Sequence, residues 1–140
     1  MFDIQVLIDR LLQQTSYPVE AARVEAPNLQ SNIELPFVYV NYYSIDKIQG
    51  SPDETDILNS YGEDLIQTFQ VQIVCVQSDL PEIWRNVYTA LKGYTPVPTN
   101  TSTAAVSGLT FKAGATQQSN NKIWDVSHWC IAFPSVNVLF

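Results

Sequence analysis

The first residues of the chain carry a helical period. Ile4, Leu7, Ile8, Leu11 and Leu12 recur at i, i+3, i+4, i+7 and i+8, while Asp3, Asp9, Arg10, Gln13 and Gln14 fill the other face. This spacing predicts an amphipathic helix over Met1–Gln14, docked on a core by one stripe. It stops near Tyr17-Pro18, because the residue before a proline avoids helical geometry. Val19–Val24 reads as a short strand and Ala26–Asn32 as loop. Leu35–Ile45 (LPFVYVNYYSI) is then an almost unbroken β-branched and aromatic run, interrupted only by Asn41 and Ser44. Such a run predicts a central strand covered on both faces.

Between Leu65 and Val76 the period changes to two. Phe69, Val71, Ile73 and Cys75 share one face, with Gln70 and Gln72 on the other. A second helix follows, with Leu80, Ile83, Trp84, Val87, Tyr88 and Leu91 as its apolar stripe. Asp79 with Glu82 three residues later has the form of a capping box, and Pro81 is tolerated in the first turn. Lys92 suits the negative end of the helix dipole and Gly93 the left-handed position that ends it. Tyr94–Ser107 is a long Thr-, Ser- and Pro-rich connection. Gly108–Gln118 and Lys122–Phe133 then form a long β-hairpin about Ser119-Asn120-Asn121, since Asn tolerates positive φ. Trp129, Ile131 and Phe133 share a face of its second arm, and Pro134 closes it. In Ser135–Phe140, Val136, Val138 and Phe140 alternate with other residues, a pattern able to pair with a sheet edge of its own or a neighbouring copy. The sum is an α+β class: a mostly antiparallel sheet with two amphipathic helices packed on it. No repeat or linker divides residues 1–140, so one domain is expected, with 135–140 as a pairing tail.

Charge adds a constraint. The 140 residues carry a formal charge of −7, and the seven basic residues are scattered. Nucleic-acid binders draw most of their affinity from phosphate contacts, so sequence-specific nucleic-acid binding is not expected. Asp46, Asp53, Glu54, Asp56, Glu63 and Asp64 concentrate acids around Gln49–Gly62. Ile57 and Leu58 sit within that stretch, which a solvated loop does not require. It reads either as an exposed loop or as a contact or lumen-facing loop, with Asp53, Glu54 and Asp56 wet and Ile57 and Leu58 as anchors. Met1-Phe2-Asp3 lacks the basic start of a signal peptide, and no stretch approaches the roughly 20 apolar residues of a membrane span. Cys75 and Cys130 both fall in strands and read as small buried apolar residues, with a cross-strand disulfide as the weaker alternative. A soluble protein made in a reducing cytoplasm is expected.

The search for chemistry finds little. His128 is the single histidine, and any Ser–His–Asp or Cys–His arrangement would have to use it. Cys130 shares its strand face, but i and i+2 of one strand are too few ligands for zinc, and no CxxC or HxxxH supplies the rest. Asp53-Glu54-Thr55-Asp56 lacks the twelve-residue spacing of a calcium loop. No GxGxxG, GxxxxGKS or GxSxG occurs. Trp84 and Trp129 fall in core phases rather than in a ligand-stacking set with Trp124. No catalytic residue, metal ligand or cofactor site is expected, and the chain does not read as an enzyme.

The order of elements does carry a resemblance. A helix leads to a Tyr17-Pro18-Val19 break, a strand opened by Leu35-Pro36, an acidic loop and the Thr68–Val74 strand. The Ile83–Leu91 helix (IWRNVYTAL) and a hairpin opened by Gly108-Leu109 follow, closing on Trp124-Asp125-Val126, Trp129 and Phe133. This layout resembles the tail-terminator, or tail-completion, proteins of tailed bacteriophages. The resemblance implies a small α+β virion subunit, made in the host bacterial cytoplasm, that forms a homo-hexameric ring. The ring would cap the tail tube, stop its growth and meet the neck or head-tail connector, and also the sheath if the tail is contractile. It implies no catalytic residue and no cofactor. Another neck or connector subunit is the alternative of the same class. A small-ligand-binding α+β domain is the alternative of a different class, and would need a pocket with convergent polar groups.

Overall fold

A computed structural model describes residues 2–21, 35–47, 64–96, 108–119 and 121–134. The acidic-loop residues Asp53, Glu54, Asp56, Ile57 and Leu58, and the tail residues Val136, Val138 and Phe140, lie outside them. In chain order the elements are α1 (Gln5–Gln14), β1 (Val19–Ala21), β2 (Phe37–Lys47), β3 (Asp64–Val76), α2 (Leu80–Leu91), β4 (Thr110–Ser119) and β5 (Lys122–Pro134). The strands form one sheet in the order β1-β2-β3-β5-β4. The fold is α+β, and every strand pair is antiparallel except β1 with β2, which run parallel from Val19↔Val38 to Ala21↔Val40.

The centre of this sheet is β3, not β2. β3 pairs along its full 13 residues with β5, from Asp64↔Pro134 to Val76↔Lys122. Its alternation then decides which side is core. Phe69, Val71, Ile73 and Cys75 are wholly buried in one cluster with Val38 and Val40 of β2 and Ile123, Trp129 and Ile131 of β5. Both helices lie on this face, α1 through Leu7, Ile8 and Leu11, α2 through Ile83, Val87, Ala90 and Leu91. Arg10 joins the helices, its Nε donating to the Ala90 carbonyl at 2.9 Å while its guanidinium stacks 4.5 Å over Tyr94.

The expectation that the β2 run is covered on both faces holds for only its first half. Val38 and Val40 are fully buried and Tyr39 nearly so, but Tyr42, Tyr43 and Ile45 are 46%, 56% and 43% exposed. The bulge between Tyr42 and Ser44 coincides with the change. Val40 is the last β2 residue paired with β1 among the described residues, and past it the same residue types face solvent.

Helix ends are set differently from the expectation. The first helix begins at Gln5, where the Asp3 carboxylate accepts from the Gln5 N–H at 2.8 Å. Phe2 is fixed to the sheet by buried Gln67, which accepts from its N–H at 2.8 Å and donates to its carbonyl at 2.7 Å. The Asp79–Glu82 capping box does not form. A 3₁₀ turn over Gln77–Asp79 runs straight into α2, so Asp79 already has helical φ and ψ and its carboxylate makes no cap hydrogen bond. The C-terminal stop is as expected, with Gly93 at φ +75°. Its N–H donates to the Leu109 carbonyl at 2.8 Å. Gly108 then passes so near that a Cβ on it would lie 2.5 Å from the Gly93 carbonyl oxygen.

The tryptophans divide. Trp129 is core, 1% exposed. Trp84 is only partly buried, because its side of α2 lies over the edge strand β4. There it stacks on Tyr88 at 4.9 Å and meets Phe111 edge-on at 5.7 Å. Trp129→Ala should therefore cost about 3–5 kcal/mol and Trp84→Ala roughly 1–2 kcal/mol. Urea denaturation of the two variants checks the order.

Candidate assembly surface

Both helices lie on one face; on the other, among the described residues, no helix packs, although Thr68, Gln72, Val74 and Tyr39 are buried there. The strand registers lay this face out in rows. Phe37, Val74, Trp124 and Gln117 form one row; Tyr39, Gln72, Val126 and Ala115 the next; Asn41, Gln70, His128 and Ala113 a third; Ser44, Thr68, Cys130 and Thr110 a fourth. None of these positions is Asp, Glu, Lys or Arg. Charge enters at the margins, with Asp46 and Asp64 at one end of the rows, Lys122 at the other and Lys112 at the bulge of β4.

Most polar side chains of the face bond to one another, the exception being Asn41, whose buried Oδ1 has no hydrogen-bond partner. The Trp124 indole Nε1 donates to Gln72 Oε1 at 3.1 Å, and Gln72 Nε2 donates to Gln70 Oε1 at 2.9 Å. Gln70 Nε2 lies 3.4 Å from His128 Nε2. The imidazole stacks on Tyr43, the bulged residue of β2, with centroids 4.2 Å apart. Phe37 stacks on Tyr39 at 4.7 Å in the same way. Thr68 Oγ1 and Cys130 Sγ are 3.3 Å apart. A continuous chain of neutral groups thus crosses β5, β3 and β2. Burial, and then the Lys112 charge, hold the His128 pKa below its ordinary value, which keeps the ring neutral at pH 7.

Amides already paired with each other lose little when water leaves, whereas bare charges lose much. A face that is free of charge, rich in aromatics and internally hydrogen-bonded has the composition of the centre of a protein interface. It is continuous with the exposed Tyr43 at the bulge of β2. Sequence alternation placed Gln70 and Gln72 on the face away from the core and put His128 and Cys130 together, and the structure agrees. It did not single out Tyr43, Trp124 or the amide chain. The signal available was that the outward positions of β3 and β5 are neutral where a solvated sheet face is commonly charged.

The expected chemistry-bearing residues are separated. Cys75 pairs with Ile123 on the core face and Cys130 with Thr68 on the open face, about 23 Å apart along the ladder at ~3.3 Å per residue. Both are free thiols. Burial, with the Asp79 and Asp125 charges, raises the Cys75 thiol to about 11, so it stays protonated. Among the described residues no group of three His, Cys, Asp or Glu side chains converges, and no helix is long and apolar enough to cross a membrane.

Asp125 stands apart on the core side of β5, opposite Ile73 and Thr116. It is 6% exposed, and its Oδ2 has no hydrogen-bond partner. Its neighbour Ser127 is satisfied, donating to the Val71 carbonyl at 3.3 Å and accepting from Trp129 Nε1 at 3.0 Å. Burial raises the Asp125 carboxyl from 3.8 to about 6.

No family model matches the sequence, and a search of curated proteins returns no match. Among solved structures, the chain is similar to one from the virion of a native gene transfer agent particle. That likeness has 13% identity and a TM-score of 0.47, and covers 93% of this chain and 85% of the other.

Two outcomes follow from the two faces of β5. Between about pH 4 and 6 the folded chain holds a proton on Asp125 that the unfolded chain has released, so this group's contribution to stability falls as pH rises through that window. Asp125→Asn should stabilise at pH 7 by on the order of 1–3 kcal/mol, with the difference vanishing near pH 4. Urea denaturation at both pH values checks this, and the His128 titration is common to both proteins and cancels. On the other face, exposed Ala115→Arg should leave stability within about 0.5 kcal/mol in the same denaturation experiment.

Proposed function

We propose that this chain is a structural subunit of a phage-type virion, and that it forms a six-fold ring capping the tail tube. In that place it ends tube growth and presents a surface to the neck or connector, and to the sheath where a tail contracts. The observation that carries the reading is the sheet face opposite the helices, whose central rows are free of charge, which suits a protein partner rather than a small substrate. The layout shared with tail-terminator proteins supplies the kind of partner. Catalysis has no part in it. The single histidine is stacked and hydrogen-bonded, the buried thiol is held protonated, and Asp125 faces the core.

A closed ring suits such a subunit. Heterologous contacts bury complementary surfaces on every copy without open-ended growth. In this reading the acidic residues Asp53, Glu54 and Asp56 line the passage or an adjoining ring, and Ile57 and Leu58 hold that loop to a neighbour. Carboxylates repel the DNA that must slide past. The repulsion is screened beyond about 8 Å at physiological salt, so it acts only close to the path.

Electron microscopy of the purified protein, and of the particle that carries it, tests the proposal. A six-fold ring at the head-proximal end of a tail tube is the expected result. A protein monomeric in solution and absent from the tube end overturns it. Replacing Asp53, Glu54 and Asp56 together by Lys should leave assembly intact and slow DNA ejection; unchanged ejection removes the loop from the mechanism.

A further inference from the structure

We propose that the sheet face opposite the helices carries a proton-operated switch: the Gln70 amide donates to His128 while that ring is neutral, and turns to Asn41 when the ring takes up a proton. The device belongs to the single subunit and does not depend on the ring reading.

The direction of the hydrogen bonds follows from their first member. The Trp124 indole is a donor only, so Gln72 must turn Oε1 toward it, at 3.1 Å. Gln72 is 8% exposed, and its other end has hydrogens to place; Nε2 donates to Gln70 Oε1 at 2.9 Å. Gln70 is thereby left with its own Nε2, a donor, facing His128 Nε2 at 3.4 Å. His128 Nε2 must accept, which fixes the neutral ring as the Nδ1–H tautomer. Tyr43, stacked on the imidazole at 4.2 Å, holds the plane of the ring.

A proton on Nε2 sets one N–H against another. Turning the Gln70 amide over does not relieve the conflict, because its Nε2 would then face Gln72 Nε2. Turning Gln72 as well only passes the conflict back to the indole, which has no acceptor to offer. The strand ladder supplies another exit. Asn41 on β2 stands opposite Gln70 just as His128 does on β5, and its buried Oδ1 has no hydrogen-bond partner. A buried acceptor left unpaired is costly, so a donor released by His128 is stabilised there. One amide therefore has two resting places, and the charge on the imidazole selects between them.

The surroundings set where in pH this happens. Lys112 on β4 is the charge that acts on the ring, and Ala113 of that strand pairs with His128. Thr68, Gln70 and Gln72 of β3 are neutral, and the Tyr43 phenol and Cys130 thiol are the other titratable groups beside it among the described residues. The Asp46 carboxylate lies two rows away, where Ser44 Oγ donates to it at 3.0 Å. Burial, and then Lys112, hold the His128 pKa below its usual 6.5, and a hydrogen bond to the neutral ring acts in the same direction. The switch operates below that pH. An unfolded chain takes up the proton first, so the contribution of this group to stability is complete above pH 6.5 and is lost as pH falls from there.

His128 is the single histidine, so heteronuclear NMR reads its ring nitrogens in the full-length protein without ambiguity. At about pH 8 the expected result is a proton on Nδ1 and none on Nε2; a proton on Nε2 overturns the inference, and this measurement needs no variant. On acidification the side-chain amide signals of Gln70 and Asn41 should move with the same midpoint as the ring. A ring that titrates while both amides stay still overturns the switch. Two variants that keep Lys112 and the Tyr43 stack separate it from plain burial. Trp124→Phe removes the obligate donor and frees both glutamines to turn over. Its ring should change to the Nε2–H tautomer and bind a proton about fivefold more tightly, the fold-change that a typical net hydrogen bond supplies. Asn41→Val removes the second resting place, and its ring should bind the proton about fivefold more weakly. An unchanged tautomer in the first variant, or an unchanged or raised proton affinity in the second, overturns the inference.

Discussion

The ladder between β3 and β5 is the constraint on which the rest of this structure depends. It fixes the register of the two longest strands, and each is two-faced. A slip of β5 by one residue against β3 would turn His128 into the helices and put Trp129 on the other face, since side chains alternate strictly. The register is therefore held from both sides. On the core side, Trp129 bonds to Ser127 and Ser127 to the Val71 carbonyl. On the open side, Trp124 reaches across the same pair of strands to Gln72. The helices could dock in one way only once that register was set, because the apolar stripe of each meets a single apolar face.

Much of this was legible in the chain. The period of two in Leu65–Val76, the period of 3.6 in both helices, and the glycine that ends the second one each express a local rule that the tertiary structure leaves intact. The failures have a common cause, which is that they depend on what lies beside an element and not on the element. The β2 run is equally apolar throughout, but its pairing slips at the bulge after Tyr42, and identical residue types split there into core and surface. Asp79 has a cap-like spacing, but a 3₁₀ turn from β3 delivers it in helical geometry. Trp84 sits in the correct helical phase, but the sheet ends beneath it. The parallel β1–β2 pair is a matter of topology, to which no three-residue strand can testify. The candidate surface was half legible: alternation gave its membership on β3 and β5, while its significance rests on the absence of charge across four strands at once.

That absence is costly to a protein that stays alone. A chain with 14 acidic and seven basic residues has ample means to make a solvated sheet face charged. Here the charges are kept off the central rows, and the polar work is given to amides, an imidazole and an indole that bond among themselves. Such groups keep the face from being an aggregating apolar patch, yet release it from water at small cost when another protein covers it. The depressed pKa of His128 belongs to the same arrangement, because a cation there would have to be desolvated on docking.

The two rims of the sheet differ in a way that gives the subunit a direction. On the β4 rim the strand is exposed along its length and broken by a bulge at Lys112, with Gly114 beyond it. A charge and a bulge on an edge strand discourage a further strand from pairing there. The β2 rim is also bulged, but the residue extruded is Tyr43, whose ring lies down on His128 and so extends the neutral face to the edge. The β4 rim thus carries its own deterrents to a further strand, while at the β2 side the neutral face runs out as far as the bulge.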